Sequence, residues 1–299
     1  MKLPSSNSSS RRSWLEIHLA VLLFGLASLF ADWVQLPAIW IVLGRTGFAA
    51  LFLALWLPVQ RQRLRPSRRA DHPWLLTTGL LLAFHWVAFF RAIQLSNVAL
   101  GLLTFSSFPV FTVLLEPLFG QGQITRNNLL IAALTLAGVA ILLPPLDWQL
   151  SDTRGAVWGL LAGFSFALLA LVNRRLVAYN PGQRIAFWQD LVAFGVLLPL
   201  CVSQPAQPTG TDLGLLLLLG IVFTGVSHSL FIRGLRHVPA RTASVLASLE
   251  PVYGILAAFL LLGQVPQART LLGGGVILAA TFLASYRPWR SQTQADSSD

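Results

Sequence analysis

Charge is what this chain has least of. Charged side chains make up 11% of its 299 residues, against 55% hydrophobic ones, about half the charged share of an ordinary soluble domain. Too little polar side chain is present to coat a water-facing surface, and a mean hydropathy of +0.67 excludes a soluble globular protein. Cysteine is nearly absent: Cys201 stands alone in an apolar run, so no internal disulfide and no cysteine metal site can form. P-loop, HExxH and GxSxG signatures are missing and the histidines are scattered singly, so nothing indicates an enzyme, and neither a cofactor nor a metal is expected. The net charge of +10 falls in short clusters between apolar runs rather than on one face, which argues against nucleic acid as a partner.

What is present is apolar length. A bilayer core about 30 Å thick takes about 20 apolar residues per helix, and runs of that kind number ten: 14–32, 37–57, 73–95, 97–118, 128–144, 155–178, 184–203, 212–235, 240–262 and 268–286. Turn residues punctuate them, among them Pro37, Pro66, Gly120, Pro144, Asn180, Pro205, Pro239 and Pro266. The first 13 residues are Ser-rich and basic and are expected to be a disordered, uncleaved tail; residues 287–299 read as a second polar tail. The fold class expected is therefore an all-α polytopic membrane protein with the lipid bilayer as its surroundings.

The chain is also internally duplicated. FFRAIQLSNVALGLLTFSSFPVFTVLLEPLF from Phe89 and FIRGLRHVPARTASVLASLEPVYGILAAFLL from Phe231 align at a shift of 142 residues, pairing Arg91 with Arg233, Ser106 with Ser248, Pro109 with Pro251 and Leu114 with Leu256. The repeat boundaries expected are 14–145 and 154–286. Five helices per copy is an odd number, so the second copy enters the membrane from the opposite side, giving two inverted five-helix repeats around a central cavity.

Lys and Arg collect in cytoplasmic loops. With the N-terminus inside, seventeen basic residues fall on inner segments and three, Arg91, Arg154 and Arg269, on outer ones. The expected placement is the cell (inner) membrane, multi-pass, with both termini cytoplasmic.

An ionisable group at the bilayer centre costs about 2.5 to 3.5 kcal/mol on insertion scales, so each one there needs a reason. The candidates are Arg45, His85, Glu116, Asp190, His228 and Glu250. Arg45 either pairs with an acid or carbonyl or offers a fixed positive charge to a carboxylate or phosphate. His85 and His228 occupy nearly matching depths in the two copies and suit a proton-coupled site, or bond a neighbouring helix as neutral imidazoles. Glu250 precedes Pro251, which frees a carbonyl of the preceding turn, and a carboxylate there could hold a coupling ion or an amine. Glu116 lies near the inner end of its helix, within reach of headgroup water. Gln189 is a polar contact on the seventh run, and for Asp190 beside it an interfacial salt bridge with the inner loop is the reading. Trp14, Trp74, Trp148 and Trp289 sit at helix ends as interface anchors. Phe89, Phe105, Phe164 and Trp188 are expected as cavity wall. Gly155, Gly159 and Gly163 form a small-residue stripe for close helix contact.

On AFHWVAFFRAIQLSNVALGLLTFSSFPVFTVLL, RTASVLASLEPVYGILAAFLLLG, GRTGFAALFLAL and ALLALVNRRL, covering about 14 to 286, the chain resembles the EamA-type members of the drug/metabolite transporter superfamily. That resemblance implies a ten-helix basket whose cavity is built by helices 1, 3, 4, 6, 8 and 9. It implies a small-molecule substrate exported or imported by alternating access, and the expected reading is an amino acid or related metabolite moving outward. Protons are a candidate coupling ion, and the assembly is a monomer or a homodimer. The chain departs from the family where a Leu-Gly-Glu often closes helices 4 and 9, carrying Phe119-Gly120-Gln121 and Leu262-Gly263-Gln264 instead. A membrane-embedded enzyme acting on a lipid or isoprenoid is the rival reading; it needs paired acids or histidines at one depth.

Overall fold

A backbone crossing hydrocarbon must satisfy its own hydrogen bonds, which leaves helices or a closed barrel. The computed structural model describes residues 6–120, 124–142, 147–203, 205–238, 243 and 246–285, which are all-helical with no strand among them. In order the helices are α1 (Ser6–Ala27), α2 (Phe30–Trp33), α3 (Ala38–Val59), α4 (His72–Leu95), α5 (Val98–Phe105), α6 (Phe108–Leu115), α7 (Arg126–Leu142), α8 (Ser151–Leu176), α9 (Gly182–Val202), α10 (Gly210–Gly220), α11 (Ser227–Gly234), α12 (Glu250–Leu262) and α13 (Ala268–Ser285). Seven continuous stretches are long and apolar enough to cross a membrane: Arg12–Trp33, Ala38–Val59, Arg69–Leu95, Val98–Phe119, Ser151–Leu176, Gly182–Val202 and Gly210–Gly234. The remaining three expected runs are shorter apolar helices, Leu129–Leu142, Glu250–Leu262 and Ala268–Ala280.

The N-terminal tail differs from expectation. Helix α1 begins at Ser6, so residues 6–13 are its first turns rather than disordered chain. Two contacts hold this end: the Arg12 guanidinium donates to Glu16, and Ser13 bonds the His237 imidazole. Residues 1–5, Arg241 and the 287–299 tail with Trp289 lie outside the described residues.

Two helices break at aligned positions. Between α5 and α6 the chain turns at Ser106 and Ser107, with Pro109 in the first turn of α6; α12 starts after a turn at Ser248 and Leu249, with Pro251 in its first turn. A proline can open a helix because the amide it lacks has no intrahelical partner there. Hydroxyls cover the exposed carbonyls: Ser106 donates to Leu102 O at 2.8 Å and Ser107 to Thr104 O at 2.8 Å.

The packing follows the duplication. Helix α4 lies on α8 as α11 lies on α1, and α6 lies on α8 as α12 lies on α1; α3 packs on α9 and α7 on α13, each against its own copy. Glycines allow the closest approaches, as expected for the α8 stripe. A Cβ on Gly155 would stand 2.9 Å from Ala92 O and one on Gly163 2.8 Å from Phe105 O, while Gly159 abuts the Thr104 side chain.

Candidate functional site

Where α1, α3, α4, α5, α8, α11 and α12 converge there is a buried cavity of about 30 Å³, room for one or two water molecules. Its wall is aromatic, from Phe24, Trp86, Phe89, Phe105, Phe166 and Phe231, and its polar groups are Arg45, His85, Asn173, His228 and Glu250.

Arg45 is only 2% exposed, on a helix with no other charged residue. Its guanidinium carbon stands 3.9 Å above the Trp86 ring and 5.3 Å from that of Phe90. Its Nε donates to Thr224 Oγ1 at 2.9 Å and its Nη2 to Phe223 O at 3.4 Å. Both partners belong to a π-helical segment, Ile221–Val226, joining α10 to α11. The wider turn lets the Thr224 hydroxyl donate to Leu219 O at 2.8 Å, five residues back, while accepting from Arg45. Such π-segments recur at functional sites because they redirect side chains and free carbonyls. Asp190 and Glu250 both act electrostatically on Arg45, yet neither is in an ion pair with it among the described residues.

His85 Nδ1 lies 2.9 Å from Ala162 O. A carbonyl only accepts, so Nδ1 carries the hydrogen and Nε2 is left as an acceptor. Its ring packs against Phe105 at 5.6 Å and Phe166 at 5.3 Å between centroids. The ring of His228 meets Trp86 edge-on at 5.4 Å, and its Nδ1 has no hydrogen-bond partner among the described residues. Glu250 opens α12 with its side chain at the cavity.

Four of the sequence-expected polar residues thus meet in one place: Arg45, His85, His228 and Glu250, with Phe89 and Phe105 in the wall. Three do not line the cavity. Phe164 is 39% exposed and packs on Phe111, because it lies two positions from Phe166 and so on the opposite face of α8. Trp188 faces the 60–71 loop, its indole donating to Leu64 O at 2.8 Å. Gln189 is fully buried behind the wall and donates to Asn173 Oδ1 at 2.6 Å. Glu116 is buried at 7% exposure rather than open to headgroup water. Asp190 is not an interfacial salt bridge: it is 0% exposed and both its carboxylate oxygens are without a hydrogen bond among the described residues.

Polar clasps close the bundle at both ends. At one, Glu16 Oε1 accepts from Arg12 Nε and from Arg233 Nη2, each at 2.9 Å, tying α1 to α11. Arg174 donates to the Leu235 and Val238 carbonyls, and Asn180 donates to Asp71 at 2.9 Å. At the other, Asp212 accepts from Gln35 N at 3.0 Å, Gln94 bridges Leu36 and Ala38, and Gln264 donates to Asp32 at 3.2 Å. Gln264 therefore holds by hydrogen bonding an end where Leu-Gly-Glu is the usual motif. For the half-buried Glu16–Arg233 pair, a double-mutant cycle with Glu16→Gln and Arg233→Gln, read by thermal unfolding, is expected to give a coupling of about 1 kcal/mol. Additive losses would mean the two helices are held by packing alone.

The EamA-like transporter family matches residues 14–143 and 153–286. The S-adenosylmethionine uptake transporter of Rickettsia felis is 25% identical over 226 residues, covering 76% of this chain and 75% of that protein. The pseudopaline exporter CntI of Pseudomonas aeruginosa is 28% identical over 251 residues, covering 84% and 87%. A solved crystal structure superposes with a TM-score of 0.68 at 16% identity, covering 93% of this chain and 97% of that one, and so shares the fold. The chain belongs to the EamA-like transporter family and is a multi-pass membrane transporter of small molecules.

Proposed function

We propose that this protein exports a zwitterionic metabolite, an amino acid or a close relative, across the cytoplasmic membrane by alternating access between two inverted five-helix halves. The observation that carries the reading is that the Arg45 guanidinium and the Glu250 carboxyl group line one aromatic cavity. A carboxylate and an ammonium on one small solute would each find its counterpart there, with His85 Nε2 as a further acceptor. Buried charges left unpaired are costly, so a site of this kind favours a ligand that supplies both signs. The aromatic rings accept the ammonium face-on and the apolar body edge-on.

The duplication supports the mechanism. The helix pairs exchange under the 142-residue shift, the ten apolar runs of the sequence divide into five and five, and the basic residues favour an arrangement with both termini in the cytoplasm. A cavity of about 30 Å³ is too small for an amino acid, so the solute enters when one clasped end parts. The breaks at Ser106–Ser107 and Ser248–Leu249 and the π-helical segment are the points where the helices can bend. The outward direction is supported by likeness to an exporter, and flux in oriented vesicles decides it.

The test is exchange of labelled amino acids and related zwitterions in proteoliposomes, after thermal-shift screening of the same compounds. His85→Ala and Glu250→Ala are each expected to lower the initial rate at least about tenfold, a loss of about 1.4 kcal/mol. If both variants insert normally and match wild type in rate and pH dependence, the site lies elsewhere.

A further inference from the structure

Asp190 is the acid that the cavity leaves unused. It sits on α9, one position beyond Gln189, with no exposed surface and with both carboxylate oxygens lacking a donor among the described residues. An ionised carboxylate so placed has neither water nor hydrogen bonds to hold its charge, whereas a neutral carboxyl gives up much less. The cation that could compensate it is Arg45, on the helix packed along α9, and Arg45 is docked elsewhere: on Trp86, on Thr224 and on the Phe223 carbonyl. Titratable and charged groups on the helices packed against α9 are Arg45 on α3, His72, His85 and Arg91 on α4, and His228 and Arg233 on α11. Arginines of the 60–71 loop meet the N-terminal turn of α9, where Arg184 donates to Arg63 O at 2.6 Å. Of all these, Arg45 is the group whose charge reaches Asp190.

We infer that Asp190 is a proton-binding site behind the cavity wall, and that its proton decides where Arg45 points. With the proton on, Asp190 is neutral and Arg45 stays against Trp86 and the π-helical segment. When an opened clasp admits water and Asp190 releases its proton to it, the new carboxylate draws the guanidinium toward α9. That withdraws the positive charge from the cavity and unlocks α3 from Thr224 and Phe223, the contacts that join it to the π-helical segment. Arg45 itself keeps its proton throughout. The proton is thus the ligand, bound on a different helix from the solute contacts, and the link to transport rests on the transporter reading above.

Proton binding can be read without a transported solute. The full-length protein in liposomes is taken from acid to alkaline buffer while the carboxyl C=O stretch is followed by infrared difference spectroscopy. Wild type is expected to show a protonated-carboxyl band that fades on alkalinisation, disappears in Asp190→Asn and shifts in frequency in Asp190→Glu. If the asparagine variant does not reconstitute, the glutamate variant carries the test alone. A band unchanged by either variant, or one that persists at every pH, overturns the inference. An Arg45 readout completes it: the band's titration is expected to move to a different pH in Arg45→Gln, and an unmoved titration overturns the Arg45 link. Were these results obtained with no solute flux in any assay, the transporter reading would fail while the proton site stood.

Discussion

Arg45→Ala is expected to destabilise the protein by about 3–5 kcal/mol, the range for removing one partner from a buried charge cluster, and to abolish transport. The loss has three parts. The guanidinium is 2% exposed and among the largest fully buried side chains, so truncation leaves a void. Its stacking on Trp86 at 3.9 Å goes as well, a contact worth about 2 kcal/mol or more when desolvated. Most of the cost comes from what remains: the buried Thr224 hydroxyl and Phe223 carbonyl lose a donor, and Glu250 loses the cation that acts on it. Arg45→Lys separates these contributions, because it keeps a charge but loses the planar stacking and the reach to both Thr224 and Phe223 O. Its expected loss is about half that of alanine, with transport reduced rather than abolished. Thermal unfolding of the purified variants in one detergent checks the order. Equal melting of Arg45→Ala and wild type would mean that none of these groups depends on Arg45.

The duplication, the apolar runs and the rarity of intramembrane charge were all readable in one dimension. Each is a property of residue type and spacing, and each led to residues that the fold brings together: Arg45, His85, His228 and Glu250 all border the cavity. Helix faces were less readable. One residue turns a helix by about 100°, so an aromatic-rich run such as Phe164-Ser165-Phe166 puts one ring on the cavity and the other outward, and only the neighbours decide which. Asp190 was misjudged in depth. It lies eight residues into α9, about 12 Å from its start at 1.5 Å per residue, already beyond the reach of loop arginines. The π-helical segment has no signature in the local sequence. Its presence changes which carbonyl and hydroxyl meet Arg45, so Thr224 could not have been named from spacing. The aligned breaks before Pro109 and Pro251 were half readable: proline marks the place, but the paired serine turns that satisfy the backbone in the first copy needed the fold.

The second large effect is expected at the seam that seats His85. Helix α8 approaches α4 and α5 through Gly155, Gly159 and Gly163, and a side chain there would meet backbone at Ala92 O, Gly101 O and Phe105 O, together with the side chains of Ser96, Thr104 and Ser107. At Gly159 the nearest atoms are Oγ1 and Cβ of Thr104, a fully buried β-branched side chain with little freedom to turn aside, with Gly101 O behind it, so Gly159→Leu must push α8 away from α5. Overpacking of this kind costs about 1–3 kcal/mol, occasionally more, and in lipid no hydrophobic force draws the separated helices back together. The displacement also reaches the site, because Ala162 O, the partner of His85 Nδ1, lies one turn along the same helix. Gly159→Leu is therefore expected to lose about 3 kcal/mol of stability and most of its transport, with Gly159→Ala intermediate. Gly214→Leu is the control, since a Cβ there meets nothing within 4 Å, and its melting should equal or slightly exceed that of wild type because leucine outranks glycine in a helix. If Gly159→Leu melts with the control and still transports, α8 and α5 do not need close contact, and the position of His85 must be set by its own aromatic neighbours.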